Sequence, residues 1–91
     1  MYTITAYTRE QAKKLGVVVK RSTNPAKKID VYKNGVKVAS CGAIGYNDYP
    51  TFWRKYGKEY ADKRRRLYKL RHEKDRYIRG SVGWYSDKLL W

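Results

Sequence analysis

Very little in this chain could cross-link it, hold a soft metal or anchor it in a membrane. Cys41 is the only cysteine, which excludes an internal disulfide and a cysteine-rich zinc site and favours a reducing compartment. His72 is the only histidine, and Asp and Glu together number 8, so acid–base or metal-ligating clusters have few residues to draw on. No apolar run approaches the roughly 20 residues that span a bilayer. Met1-Tyr2-Thr3-Ile4-Thr5 lacks the basic region and apolar run of a secretory signal. The expectation is therefore a protein that is not secreted and has no membrane partner. Phe and Met occur once each, so the core must be built from Val, Ile, Leu and the rings of amphipathic aromatics.

What the chain has in excess is positive charge. Lys and Arg number 22, for a net charge of +14 over 91 residues, a length that fits one domain. Both halves are basic: residues 1–45 carry 9 basic and 2 acidic side chains, and residues 46–91 carry 13 and 6. Charge of that density repels itself in a compact fold, so an anionic partner is expected. Ten Tyr and three Trp are interleaved with the cations, as stacking on single strands or wedging into a minor groove needs. The same rings serve equally well as core or as anchors of a protein interface.

Taken in order, residues 8–15 read as a short helix. Thr8 stands as its cap with Gln11 at the capping-box position, Lys13 and Lys14 lie in the last turn, and Gly16 closes it. Val17-Val18-Val19 leaves as an extended segment. Residues 20–28 have the composition of an exposed loop whose basic pairs suit either solvent or a phosphate. Residues 29–33 and 36–41 alternate apolar and polar positions around Asn34-Gly35, which signals a β-hairpin with a type I′ turn. Cys41 reads as a small buried hydrophobe. The glycines of residues 42–50 match neither a P-loop nor a dinucleotide fingerprint, and Asp48 reads as a turn residue that bonds nearby amides. Pro50 opens a second short helix over 50–56, closed by Gly57.

A long basic helix is expected over 58–78. At about 100° per residue, Leu70, Leu67, Ile78, Tyr60, Tyr68 and Ala61 form an apolar arc with Tyr77 at its edge. The opposite arc holds Asp62, Arg65, Arg66, Lys69, His72, Glu73 and Arg76. Arg64 and Arg71 fall inside the apolar arc. An arginine there must snorkel, pair with an acid such as Asp48 or Asp30, or face a ligand, because an unpaired buried charge is costly. Residues 82–91 end on Leu89, Leu90 and Trp91 and are expected to pack back on the core. The whole reads as an α+β domain: a small antiparallel sheet, built on the hairpin around Asn34-Gly35, covered by one long basic helix and short terminal helices.

No catalytic, cofactor or metal-binding residue is assigned. A Mg²⁺ nuclease site built from residues 71–75 with Asp30 or Asp48 is disfavoured, since His72 and Asp75 are about 60° apart on a helix and His72 points to the solvent side. Nucleic acid bound without sequence specificity is the first expectation, DNA ahead of RNA, because cations that neutralise phosphates supply most non-specific affinity. The expected phosphate contacts are Arg65, Arg66, Lys69 and Arg76 on the outer arc and Lys27 and Lys28 on the loop, with Arg64 and Arg71 as a second tier. An acidic protein surface in a larger assembly is the alternative partner.

Four strings, taken together, carry a resemblance. They are residues 28–32 (Lys28-Ile29-Asp30-Val31-Tyr32), 42–49 (Gly42-Ala43-Ile44-Gly45-Tyr46-Asn47-Asp48-Tyr49), 65–72 (Arg65-Arg66-Leu67-Tyr68-Lys69-Leu70-Arg71-His72), and Gly83-Trp84-Tyr85 through Leu89-Leu90-Trp91. In that order they resemble an uncharacterised family of small basic proteins of large DNA viruses of eukaryotes, phycodnavirus- or mimivirus-like, and of some tailed phages. The resemblance covers residues 28–91, and Gln11 through Val17 match a subset. It carries no site residues. It implies a setting: a viral protein located in the host cell interior, in the virion, or in both, as a genome-associated or a minor capsid component.

Overall fold

Asn34 and Gly35 sit at φ 53° and 79°, the two positive values that a type I′ turn demands. They fold the chain into the expected hairpin. In the computed structural model, which describes residues 2–91, seven elements follow one another: α1 (Ala6–Leu15), β1 (Val18–Arg21), β2 (Lys27–Lys33), β3 (Val36–Ala43), α2 (Tyr49–Tyr56), α3 (Lys58–Arg71) and α4 (Val82–Leu89). The strands form one antiparallel sheet in the order β1-β2-β3, with Val19 opposite Val31 and Ile29 opposite Cys41. The α+β class read from the sequence is the class of the structure. The extended segment after Gly16 becomes its third strand.

Alternation along the strands puts Val19, Ile29, Val31, Ala39 and Cys41 on one buried face. Val31 pairs with Ala39 but Tyr32 pairs with Lys37, so Val38 is an extra residue and β3 bulges there. Beyond the bulge, Val36 is exposed. Helices α4 and α1 cover the buried face, where Ala12, Tyr85, Leu89 and Leu90 join the strand residues in one cluster. Leu89 and Leu90 are almost wholly buried, and each contributes roughly 2–3 kcal/mol by leaving water. Helix α1 begins one turn earlier than the capping-box pattern suggests. Thr5 is its cap, accepting from the Thr8 amide at 3.2 Å. Thr8 is buried instead, and its hydroxyl donates to the Leu89 carbonyl at 2.8 Å, tying α1 to α4.

Asp48 caps α2, as a turn-forming Asp can, but its reach is longer than local chemistry indicates. Its carboxylate accepts from the Thr51 amide at 3.1 Å, the Thr51 hydroxyl at 2.6 Å, the Tyr2 hydroxyl at 2.7 Å and Lys28 Nζ at 3.2 Å. Four donors satisfy a carboxylate that is fully buried, and they join the N-terminal segment, β2 and α2 at one point.

The long helix departs from expectation in length and in orientation. It ends at Arg71, and residues 72–80 form successive turns. Arg76 Nε bonds back to the Lys69 carbonyl at 3.2 Å, so that segment folds over the helix end rather than extending it. The packed stripe lies roughly a quarter turn away from the apolar arc counted on the sequence. Ala61 is its only fully buried residue, and Tyr60, Leu67 and Leu70 face solvent. The reason is the partner. Helix α3 packs on α2, where the small Ala61 lets Tyr49 and Phe52 approach, and on Trp91, which lies flat against Tyr68 at 4.3 Å and 8°. The sheet is covered chiefly by α4 and α1, and Trp91 touches both the sheet core and the α2–α3 core.

Candidate nucleic-acid interface

Between the end of the β2–β3 hairpin and the C-terminal half of α3 lies a cleft of about 630 Å³. Its other walls are the turns of residues 72–80 and the start of α4. At its floor Gly42 has φ +79°, and a Cβ there would stand 2.8 Å from Leu90 Cδ1 and 2.9 Å from Lys28 Cδ. The strand can press against α4 and Lys28 only because that position has no side chain.

Arg64 and Arg71, the pair that fitted neither arc of the helix, both line this cleft. Neither finds the acid considered for it. Asp48 is taken by Lys28, and Asp30 accepts from the Ser22 hydroxyl at 2.6 Å, the Ser40 hydroxyl at 2.7 Å and the Thr23 amide at 3.3 Å. Burial pushes the Asp30 carboxyl up, but those bonds, with the charge of Lys37, outweigh it and leave it below the ordinary carboxylate range. Arg64 and Arg71 are held by rings instead. The Arg64 guanidinium lies over Phe52 at 5.3 Å, its buried Nε without a hydrogen-bond partner among the described residues, and that of Arg71 lies over Tyr68 at 5.9 Å. Both forks are positioned by aromatic faces with their N–H donors unspent.

The loop pair separates. Lys27 and Lys28 belong to β2, not to a loop. Lys28 is buried and committed to Asp48 and to the Tyr2 ring at 5.2 Å, whereas Lys27 lines the cleft with no ion pair among the described residues. The outer-arc cations gather elsewhere. Arg65, Arg66, Lys69 and Arg76 line a shallower hollow of about 340 Å³ with Asp62 and Glu73, and three of the four are engaged. Arg65 stacks on Tyr49 at 3.8 Å and lies 3.6 Å from Asp62. Lys69 bonds the buried Asp87 at 2.7 Å. Arg76 bonds the Tyr77 hydroxyl at 2.6 Å and Glu73 at 3.4 Å. Of the four, only Arg66 is exposed rather than partly buried.

Four residues of the cleft were not marked as site residues in the sequence. Tyr46 is 75% exposed at the rim, and Asn47 stands beside it. Tyr68 and Trp91 form a stacked wall. Burial, and then the charge of Asp87, raise the Tyr68 phenol to about 12, so it is a neutral ring across the physiological range. Tyr46 sits between turn formers, which was a legible hint of exposure; nothing local places Trp91 against Tyr68. His72 also differs from expectation. It caps the end of α3 and lines the cleft, half-buried, with its ring 4.4 Å from Tyr68 and Nδ1 3.5 Å from Asp75. Among the described residues no three His, Cys, Asp or Glu side chains gather as a metal site, and no helix is long and apolar enough to cross a membrane. Set against protein-family models, curated proteins and solved structures, the chain finds a match in none of them.

Proposed function

We propose that the protein binds nucleic acid largely without sequence specificity, DNA ahead of RNA, in association with a viral genome in the host cell or the particle. One observation carries this reading: Arg64, Arg71 and Lys27, none of them in an ion pair among the described residues, converge on a ring-walled cleft. Among the described residues the one acidic side chain on its lining is the exposed Asp75. Free guanidinium forks suit phosphate oxygens, which they address bidentately.

The test is a salt titration of affinity for DNA and RNA. Contacts to about four phosphates, from the three cleft cations and Arg66, give a slope of log K against log salt of about −3 to −4. A flat response removes the proposal. The alternative reading, a minor capsid protein, is supported by a different feature. Tyr56, Tyr60, Leu67 and Leu70 leave an exposed apolar stripe along the α2–α3 pair, flanked by cations and suited to an acidic protein surface. Fractionation of purified particles separates the two, since a genome-bound protein leaves with the nucleic acid and a cement protein with the shell.

A further inference from the structure

The cleft also has a shape, and the shape discriminates between forms of nucleic acid. Its cations and its rings are not on a convex surface but inside a recess of about 630 Å³, a volume within the range that encloses a small organic molecule. Trp91, Tyr68 and His72 line one side as a row of rings, Tyr68 within 4.3 Å of Trp91 and 4.4 Å of His72, and Tyr46 stands 75% exposed on the lining. Arg64 and Arg71 are separated by two turns of α3, about 10 Å along its axis, so they address two different phosphates rather than one. In a duplex the flat faces of the bases are covered by their neighbours, and only the edges and the backbone are offered. A ring sunk in a cleft meets a base face only when that base is unstacked, as in a single strand or an extruded nucleotide.

We infer that the cleft is a single-strand site. One base enters between Tyr46 and the open end of the Trp91–Tyr68–His72 row while Arg64 and Arg71 hold the phosphates on either side, with Lys27 adding charge. This inference rests on the nucleic-acid reading and sharpens it to a substrate class. Stacking is indifferent to base identity, since every base has a flat face, which accords with binding that lacks sequence specificity. The outer hollow around Arg65, Lys69 and Arg76 offers no comparable ring faces, and its cations are engaged with Asp62, Asp87 and Glu73.

The test compares a short fluorescein-labelled oligothymidylate with a duplex of equal length, by anisotropy over a series of salt concentrations starting at low salt, for the wild type, Arg71→Gln and Tyr46→Ala. Both substituted side chains are exposed, and circular dichroism establishes that the variants are folded. The single strand is expected to bind about tenfold or more tightly than the duplex. Tyr46→Ala should weaken single-strand binding about tenfold with little change for duplex. Arg71→Gln should reduce the single-strand salt slope by about 0.7. Equal affinity for the two forms, or variants that weaken both alike, would overturn the single-strand site while leaving the nucleic-acid reading intact. Absence of binding to either at low salt overturns both.

Discussion

Replacing Asp48 by Ala is the most severe single change the structure offers outside its apolar core. It removes the partner of a Lys28 ammonium whose side chain is 5% exposed, and an orphaned buried charge costs about 3–5 kcal/mol. Loss of the α2 cap adds about 1 kcal/mol. The resulting 4–6 kcal/mol stands against about 5–14 kcal/mol expected for a domain of this length, so the variant should lose between about a third and all of its stability at room temperature. Most of that penalty belongs to the stranded cation rather than to lost attraction. The double variant Lys28→Met/Asp48→Ala should therefore recover most of the stability and remain only about 1–2 kcal/mol below the wild type. Urea unfolding followed by tryptophan fluorescence and far-ultraviolet circular dichroism measures all three proteins, with equal slopes guarding the two-state comparison. The reasoning is refuted if Asp48→Ala lies within about 1 kcal/mol of the wild type, or if the double variant is no more stable than the single one.

Three further outcomes are expected. Leu89→Ala, which empties a fully buried site between the sheet and α1, should cost about 2–5 kcal/mol in the same urea assay. Gly42→Ala should cost about 1–3 kcal/mol, since it combines a positive φ with a Cβ 2.8 Å from Leu90; a midpoint unchanged from wild type would contradict the tight floor of the cleft. Stability should also fall at both ends of the pH scale. Asp30 has a lowered pKa in the folded state, so its contribution is complete above the unfolded carboxyl value of about 3.9 and is lost as pH drops through the folded one. Asp30→Asn should flatten that acid limb. Tyr49 and Tyr68 are raised to about 12, each by burial first, then by the bond to Asp62 for Tyr49 and the charge of Asp87 for Tyr68. Their contribution is complete below about pH 10 and disappears as pH rises through about 12. Tyr49→Phe and Tyr68→Phe should each flatten that alkaline limb, and an unchanged limb in both would contradict it.

The parts of the fold that were legible are those whose cause is local. Asn34-Gly35 dictates its turn by backbone sterics alone, Gly16 and Gly57 end helices for the same reason, and Asp48 with Pro50 announces α2. Local signals misled where a neighbour decides the outcome. Thr8 has a capping pattern as good as that of Thr5, and only the Leu89 carbonyl tells them apart. No Gly or Pro stops α3 at Arg71; the return of Arg76 to the Lys69 carbonyl does. The helix face was read from Leu67 and Leu70, which face solvent, because a count of apolar residues cannot show that α3 meets rings. Phe52, Tyr49 and Tyr68 accept guanidinium planes as readily as methyl groups. The site divides the same way: Arg64 and Arg71 were visible as residues out of place, whereas the engagement of Lys28, Arg65 and Lys69 depends on acids distant in the chain or across a turn.

That Leu89, Leu90 and Trp91 close the sheet also puts a clock on how the protein is made. The strands are complete at Ala43, but the helix that covers their apolar face does not begin until Val82. At 5–20 residues per second, synthesis of the intervening stretch takes roughly 2–8 s. Throughout that interval Val19, Ile29 and Val31 have no α4 to lie against, whatever the hairpin turn has already achieved. The nascent chain passes those seconds without the helix that closes its strands. It carries an excess of positive charge in that half that keeps one unfinished copy away from the next.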